Sequence, residues 1–210
     1  MVLIESDEAE IKAALTAASL MVASARTAPK GKGVDKITIA IATDEDKERL
    51  AEAMAKIFSP PDERVQKQIM NVRNSDAVVL IGVKIEDGID ETERTIRIVD
   101  LGIAIGSAVK TASILNIDNR VMLSVGRAAQ ELKLIEGSIV YGIPISVRGA
   151  NIYFDRYDPI KKIGKKDYLL ANRKENENIY LTSFIPFHFI FIWLQAANAH
   201  PGAKSFSLAA

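Results

Sequence analysis

The sequence predicts an α+β fold in which helices surround a mixed or mostly antiparallel sheet. Two apolar segments rich in β-branched residues, Lys36–Ala42 and Ala77–Lys84, are typical of buried strands. A long and nearly apolar segment, Arg97–Asn116, predicts a helix in the centre of the fold. The 210 residues of the chain, 48% hydrophobic and 26% charged, are enough for one globular domain with an extension.

The first predicted helix and the loop after it have clear boundaries. Asp7–Arg26 places apolar side chains at helical spacing behind an acidic first turn. The helix must end before Pro29, because proline cannot continue it and the glycines that follow favour a loop. The first strand, Lys36–Ala42, comes directly after this loop.

Two helices are predicted between the first and the second strand. Thr43 and Asp46 are spaced as in a capping box, so a helix is expected from there through Phe58. The two prolines at 60–61 restart the chain, because proline is accepted in the first turn of a helix. The second helix is then expected to extend to about Arg73.

The central helix contains two glycines, Gly102 and Gly106, after a polar and acidic stretch at 85–95 that predicts a loop. A glycine inside a helix costs roughly 1 kcal/mol relative to alanine, so some other interaction should offset it. We expect these glycines to allow close helix packing, either in the core or at a dimer interface. The approach of a flat ligand is the alternative.

The remaining segments are predicted to complete the sheet. A third strand is expected at Asn119–Val125, followed by a short helix at Arg127–Leu134. Two further segments, Ile139–Val147 and Asn151–Phe154, have strand-like composition.

Composition excludes several classes of function. The 27 basic and 27 acidic residues give a formal net charge of +0, so we expect no nucleic-acid partner. The sequence has no cysteine, which removes disulfides, thiolate metal sites and cysteine nucleophiles. Its two histidines, His188 and His200, cannot supply a triad or a multi-histidine metal site in the body of the chain, and we expect no metal.

No secretory signal pattern opens the sequence, so a cytoplasmic protein is expected.

The loop Ala28–Asp35 (APKGKGVD) is the first candidate binding site. Its two glycines let backbone N–H groups converge on an anion, and Arg26, Lys30 and Lys32 bring cations to the same place. The alternative is a helix stop with solvated lysines. The loop matches neither a P-loop nor a dinucleotide-binding pattern.

A second polar cluster lies around the predicted third strand and comprises Asp118, Asn119 and Arg120 and then Ser124, Gly126 and Arg127. The sequence Ser124-Val-Gly-Arg lies between that strand and a helix, where free N–H groups favour anions. The alternative is that Ser124 caps the helix and Arg127 is solvated.

Six segments in order carry a family resemblance: ARTAPKGKGVD, TDEDKERLAE, SDAVVLIG, VDLGIAIGSAV, DNRVMLSVGRAA and YGIPISVRGANIYFDR. They resemble an uncharacterised prokaryotic family described as containing a ferredoxin domain, over nearly all of residues 8–156. The same order is similar, more remotely, to flavin-dependent nitroreductases. That resemblance implies a nitroreductase-like α+β homodimer with FMN at the subunit interface, formed by residues 1–156.

The resemblance also implies which residues bind the cofactor. In the loop these are Arg26, Pro29, Lys30, Gly31, Lys32 and Gly33, and in the second cluster Ser124 and Gly126. Relatives carry cysteines between the second strand and the central helix, whereas Glu86–Arg94 has none. We therefore expect no iron–sulfur cluster.

Two functions are consistent with these features. The first is an FMN-binding redox protein of nitroreductase-like type. Its substrate would be a small redox-active molecule, which the resemblance does not identify. The cofactor performs hydride chemistry in such proteins, which suits a chain poor in catalytic side chains. The alternative is a non-catalytic dimeric binding or scaffold protein, because Met1–Glu10 lacks the arginines with which nitroreductases begin.

Residues 157–210 form an extension of different composition. A basic stretch comes first, and residues 178–203 then have no Asp, Glu, Lys or Arg and six aromatic residues. We expect an arm that packs on a dimer partner. Membrane contact through residues 179–197 is a less favoured alternative, and a tail foreign to the family is another.

Overall fold

A computed structural model describes residues 3–154, which form five helices, four strands and one short 3-10 turn. The predicted tail at 157–210, with its arm and membrane alternatives, lies outside the described residues. The elements are α1 Ser6–Thr27, the turn Gly31–Gly33, β1 Ile37–Ala42, α2 Asp44–Ile57, α3 Glu63–Asn74, β2 Ala77–Val83, α4 Glu91–Ile114, β3 Asp118–Asn119, α5 Leu123–Glu131 and β4 Ile139–Ser146.

The four strands form one antiparallel sheet in the order β1-β2-β4-β3. Strand β2 is buried along its whole length because it pairs on both sides, with Ile37 opposite Val83 and Ile145 opposite Ala77. This burial explains its unbroken apolar sequence. The predicted α+β class and its mostly antiparallel sheet are confirmed.

Helices cover both faces of the sheet. On one face, Val79 and Ile81 of β2 belong to an apolar core with Met21 of α1 and Leu101 of α4. On the other face, α5 packs on β4 and against α2, which also packs against α3. Alternate side chains of β2 therefore serve two separate layers.

Helix α4 begins at Glu91, inside the stretch 85–95 that we expected to be a loop. Asp90 caps it, since the carboxylate accepts a 2.8 Å hydrogen bond from the Glu93 N–H. Acidic residues in the first turn also interact favourably with the helix dipole. The acidic composition that suggested a loop is the signature of a helix start.

The expected third and last strands are also wrong in extent. Only Asp118–Asn119 pairs as a strand, and a single bridge at Met122 follows before α5 begins at Leu123. Asn151–Phe154 is a turn rather than a strand, because the Asn151 side chain accepts hydrogen bonds from two N–H groups within it.

The glycines of α4 lie on the exposed side of the helix. A Cβ atom placed on Gly102 or Gly106 would meet nothing within 4 Å among residues 3–154. Val99 and Ile103 on the same side are 52% and 40% exposed. The expected close packing of these glycines in a core is therefore wrong as far as residues 3–154 are concerned. Within the described residues, no helix combines the length and apolarity needed to cross a membrane.

Candidate functional site

The structure gives Lys30 a role at the end of α1. Its ammonium donates to the carbonyl oxygens of Ala25, Arg26 and Ala28, at 3.3 Å for Ala25 and 2.7 Å for Ala28. A cation at a helix C-terminus satisfies carbonyls that have no helical partner. The Lys30 ammonium therefore already interacts with the C-terminal end of α1.

Arg26 is occupied in a similar way. Its guanidinium donates to the Asp35 carboxylate at 2.6 Å and to the Ile37 carbonyl at 2.9 Å. Partial burial works to raise the pKa of Asp35, but the hydrogen bonds from Arg26 and the Ile37 N–H outweigh it, so the pKa is lowered overall.

Changing Asp35 to asparagine should therefore cost stability near neutral pH and much less in acid. The lowered pKa means that Asp35 stabilises the fold above the ordinary carboxyl pKa of 3.8 and loses this effect as the pH falls through the folded-state value. Because the pair is half exposed, the loss at pH 7 should be below about 1 kcal/mol. Urea unfolding of both proteins at pH 7 and pH 3 measures it, and a difference that grows in acid would contradict it.

The predicted loop is fastened to α4. The Gly31 N–H donates to Asp100 at 2.7 Å, and a Cβ on Gly31 would lie 2.3 Å from the Ile96 side chain. Lys32 pairs with Glu93 at 2.7 Å, and that hydrogen bond raises the pKa of Lys32.

Arg97 completes this arrangement from within α4. It donates to the Val34 carbonyl at 3.1 Å and also pairs with Glu93 and Asp100. Pro29 is exposed, and Gly33 has a φ of 68° with nothing within 4 Å of a Cβ placed there. The loop is therefore fixed by many contacts, and the three cations Arg26, Lys30 and Lys32 already have partners within the chain.

The second predicted cluster lies on the opposite face of the sheet, on α5. A Cβ on Gly126 would sit 1.8 Å from the Val140 carbonyl oxygen of β4, so this glycine has a packing role. Ser124 donates to the Gln68 side-chain oxygen at 2.7 Å. Within one described chain, the structure does not bring Ser124 and Gly126 together with the loop at 26–33.

Ser124 instead lines a cavity of about 240 Å³ between the start of α3 and the segment joining β3 to α5. Three arginines line this cavity, and no aspartate or glutamate in the described part of the chain lines it. Its lining residues are Phe58, Arg64, Val65, Gln68, Arg120, Val121, Met122, Leu123, Ser124 and Arg127. We call it the arginine cavity.

The three arginines differ in how they are held. Arg120 donates to the Tyr153 carbonyl at 3.2 Å and lies over the Phe154 ring, 5.3 Å from its centroid. Arg64 has a carboxylate only at the 4.0 Å limit, that of Asp62. Arg127 is exposed, and no residue between 3 and 154 pairs with it. Guanidinium groups without carboxylate partners are available to an anionic ligand.

Two further features adjoin the arginine cavity. Helix α5 starts at its wall, and the residue before the helix, Met122, gives no side-chain cap to the first N–H groups. A neighbouring open cavity of about 560 Å³ shares Arg64 and Arg120 and is also lined by Asp62, Glu63 and Lys67. The combined space has a cationic end and an end of mixed charge.

Sequence reasoning found only part of this site. The sequence predicted Ser124 as a binding residue and placed Arg120 and Arg127 in the same polar cluster, but no pattern pointed to Arg64 or Gln68. Those two residues lie one turn apart on α3, and no local motif signals that this turn faces the start of α5.

Comparison with solved structures defines the class of fold. The chain is similar to a nitroreductase-like family protein from Bacillus cereus, with a TM-score of 0.51 and 13% identity over 78% of this chain and 94% of that one. A nitroreductase with bound FMN from Desulfitobacterium hafniense gives a TM-score of 0.48 at 19% identity, over 78% and 88% of the chains. The likeness to the Bacillus cereus protein shows that the fold is nitroreductase-like, as predicted.

Sequence comparison defines the family. The family model described as "Uncharacterized protein containing a ferredoxin domain (DUF2148)" matches residues 92–156. An uncharacterized protein from Archaeoglobus fulgidus is 36% identical over 165 residues, which are 67% of this chain and 90% of that protein. The chain belongs to this family, although it has no cysteine with which to hold an iron–sulfur cluster.

Proposed function

We propose that this protein binds FMN in the arginine cavity and acts as a redox protein of nitroreductase-like type. The observation that supports the proposal is the cavity itself, which brings three arginines with no described carboxylate to one place beside apolar side chains. FMN is an anion with a flat aromatic ring, so both properties of the cavity match it.

The donor groups of the cavity fit the chemistry of FMN. Guanidinium groups bind phosphate in a fork geometry, and positive charge near the pyrimidine edge of a flavin tunes its electronics. Phe58, Val65 and Leu123 offer apolar surface to the ring. Bound FMN would supply the hydride chemistry, and the residues of this chain would hold the cofactor and orient its charged groups.

The loop at 26–33 is the second candidate for the phosphate. Its cations already have protein partners in one chain, so phosphate binding there would require at least one of these contacts to break. This same arrangement favours the alternative function, a dimeric binding or scaffold protein in which the loop is only structural.

We also propose that the protein is a homodimer and that the exposed side of α4 forms its interface. Gly102 and Gly106 leave open space on this side, next to exposed Val99 and Ile103. Apolar and small side chains together allow a second helix to approach closely. The molar mass of the protein in solution, measured by light scattering, tests this proposal.

FMN titration of paired variants tests the proposed function. Changing Arg64 and Arg127 together to glutamine should weaken FMN binding at least about a hundredfold, because each charge-assisted hydrogen bond contributes about 1.5–3 kcal/mol. Flavin fluorescence and the retained visible absorption band report the binding. Arg94→Gln is the matched control, since Arg94 is exposed on α4 at the other face of the sheet.

The alternatives give different results in the same titration. If changing Lys30 and Lys32 to alanine abolishes binding while the arginine variant binds normally, the phosphate belongs to the loop and our assignment is wrong. A wild-type protein that neither retains FMN nor gains thermal stability from it would support the scaffold function instead.

A further inference from the structure

We propose that the turn Asn151–Phe154 positions Arg120 in the arginine cavity and thereby sets the affinity of the cavity for anions. The assignment of FMN as the anion rests on the proposed function, whereas the positioning of Arg120 applies to any phosphate-bearing ligand. Phe154 is the determining side chain, because its ring lies against the guanidinium of Arg120, a residue that lines the cavity.

Arg120 is held at three points. Its backbone N–H donates to the Pro144 carbonyl at 3.3 Å, which fixes the start of the side chain beside β4. Its guanidinium donates to the Tyr153 carbonyl at 3.2 Å and lies 5.3 Å from the centroid of the Phe154 ring. Two of these contacts come from the turn, so the turn decides where the charge lies.

The turn itself is firmly built. The Asn151 side-chain oxygen accepts the N–H groups of Tyr153 at 3.0 Å and Phe154 at 3.2 Å. The Asn151 amide nitrogen donates to Asp118 of β3 at 2.8 Å. Tyr153 is 5% exposed, and this burial raises the pKa of its phenol, which stays neutral. These contacts anchor the turn to the same short strand that precedes Arg120.

The exposure of Phe154 supports a functional role for its ring. The side chain is 62% exposed, so packing contributes little to its placement. A guanidinium over an aromatic face gains a cation–π interaction, and a held arginine loses less conformational freedom when an anion binds. Arg127 has no such support in the described chain. Arg120 should therefore be the best organised of the three arginines before a ligand arrives.

Affinity measurements on two substitutions of Phe154 test the proposal. Phe154→Leu should weaken binding of FMN about fivefold, whereas Phe154→Tyr, which keeps the ring, should bind like the wild type. The midpoint of thermal unfolding without ligand should stay the same in both, because the side chain is exposed. Ile11→Ala is the control for loss of an exposed apolar side chain, since Ile11 is 49% exposed on α1.

A double-mutant cycle separates positioning from other roles of Phe154. In an Arg120→Ala background, Phe154→Leu should change the affinity no further, because the guanidinium that it positions is gone. Equal effects of Phe154→Leu with and without Arg120 would overturn the proposal. So would unchanged FMN affinity in Phe154→Leu alone, and the proposed function would then still stand.

Inorganic pyrophosphate is a second probe that does not depend on flavin. If pyrophosphate raises the thermal stability of the wild type and of Phe154→Tyr but less that of Phe154→Leu, the positioning role stands even when FMN does not bind. In that case the proposed function fails alone. If neither FMN nor pyrophosphate binds to the wild type, both proposals are wrong.

Discussion

Changing Gly126 to alanine is expected to lower the free energy of unfolding by about 3 kcal/mol or more. The new Cβ would lie 1.8 Å from the Val140 carbonyl oxygen and 2.4 Å from its carbon. Both atoms belong to the backbone of β4, which pairs with β2 and cannot move alone. Helix α5 would have to withdraw from the sheet, and its buried Val125 and Ala129 would lose contacts. Urea unfolding followed by circular dichroism measures the loss.

The matched control is the same substitution at Gly102, also inside a helix. A Cβ there meets nothing within 4 Å in the described chain, so alanine should raise helix stability by up to about 1 kcal/mol. Both variants should be compared at a concentration at which the protein is monomeric, because Gly102 lies in the proposed dimer interface and a Cβ there would also weaken the dimer. Similar effects of the two substitutions would show that α5 does not pack on β4 as closely as the structure has it.

The elements that carry a continuous apolar sequence were predictable from the sequence. Strand β2 is buried on both faces, so its unbroken apolar run identified it directly. The apolar segment of α4 was recognised for the same reason, but the first five residues of the helix, Glu91 to Thr95, were assigned to a loop. Their acidic composition is shared by exposed loops and by helix starts, and only the Asp90 cap distinguishes the two.

The candidate site was less predictable because its residues come from distant parts of the chain. Arg64 lies on α3, whereas Arg120 and Arg127 come after β3 and within α5. Antiparallel pairing of β2 with β4 brings these elements to one face of the sheet. That pairing cannot be predicted from the local sequence of either strand. The glycine and lysine loop at 26–33 has the stronger local pattern, yet Lys30 binds carbonyls at the end of α1 and Lys32 pairs with Glu93 of α4.

Removing the carboxylate of Asp100 should be nearly as damaging as the change at Gly126. Asp100→Ala is expected to cost about 3 kcal/mol, because it breaks a buried ion pair and a buried hydrogen bond. The side chains of Asp100 and Arg97 are 4% and 5% exposed, with Oδ2 lying 3.6 Å from Arg97 Nη1. The other oxygen accepts the Gly31 N–H at 2.7 Å. The alanine variant would leave the Gly31 N–H without its acceptor. Arg97 would then have Glu93 as its remaining carboxylate partner in the described chain.

Asp100→Asn divides this effect into its two parts. The amide oxygen can still accept the Gly31 N–H, so only the charge is lost and the destabilisation should be clearly smaller than for alanine. Adding Arg97→Met to Asp100→Asn should recover part of the loss, because it removes the buried cation left with fewer partners. If Asp100→Ala costs less than about 1 kcal/mol, the Gly31–Asp100 contact does not hold the 28–35 loop on α4 as the structure has it. The stability of this buried pair therefore measures how firmly the loop is held on α4, whereas Arg26 and Lys30 keep their partners at the end of α1 in either case.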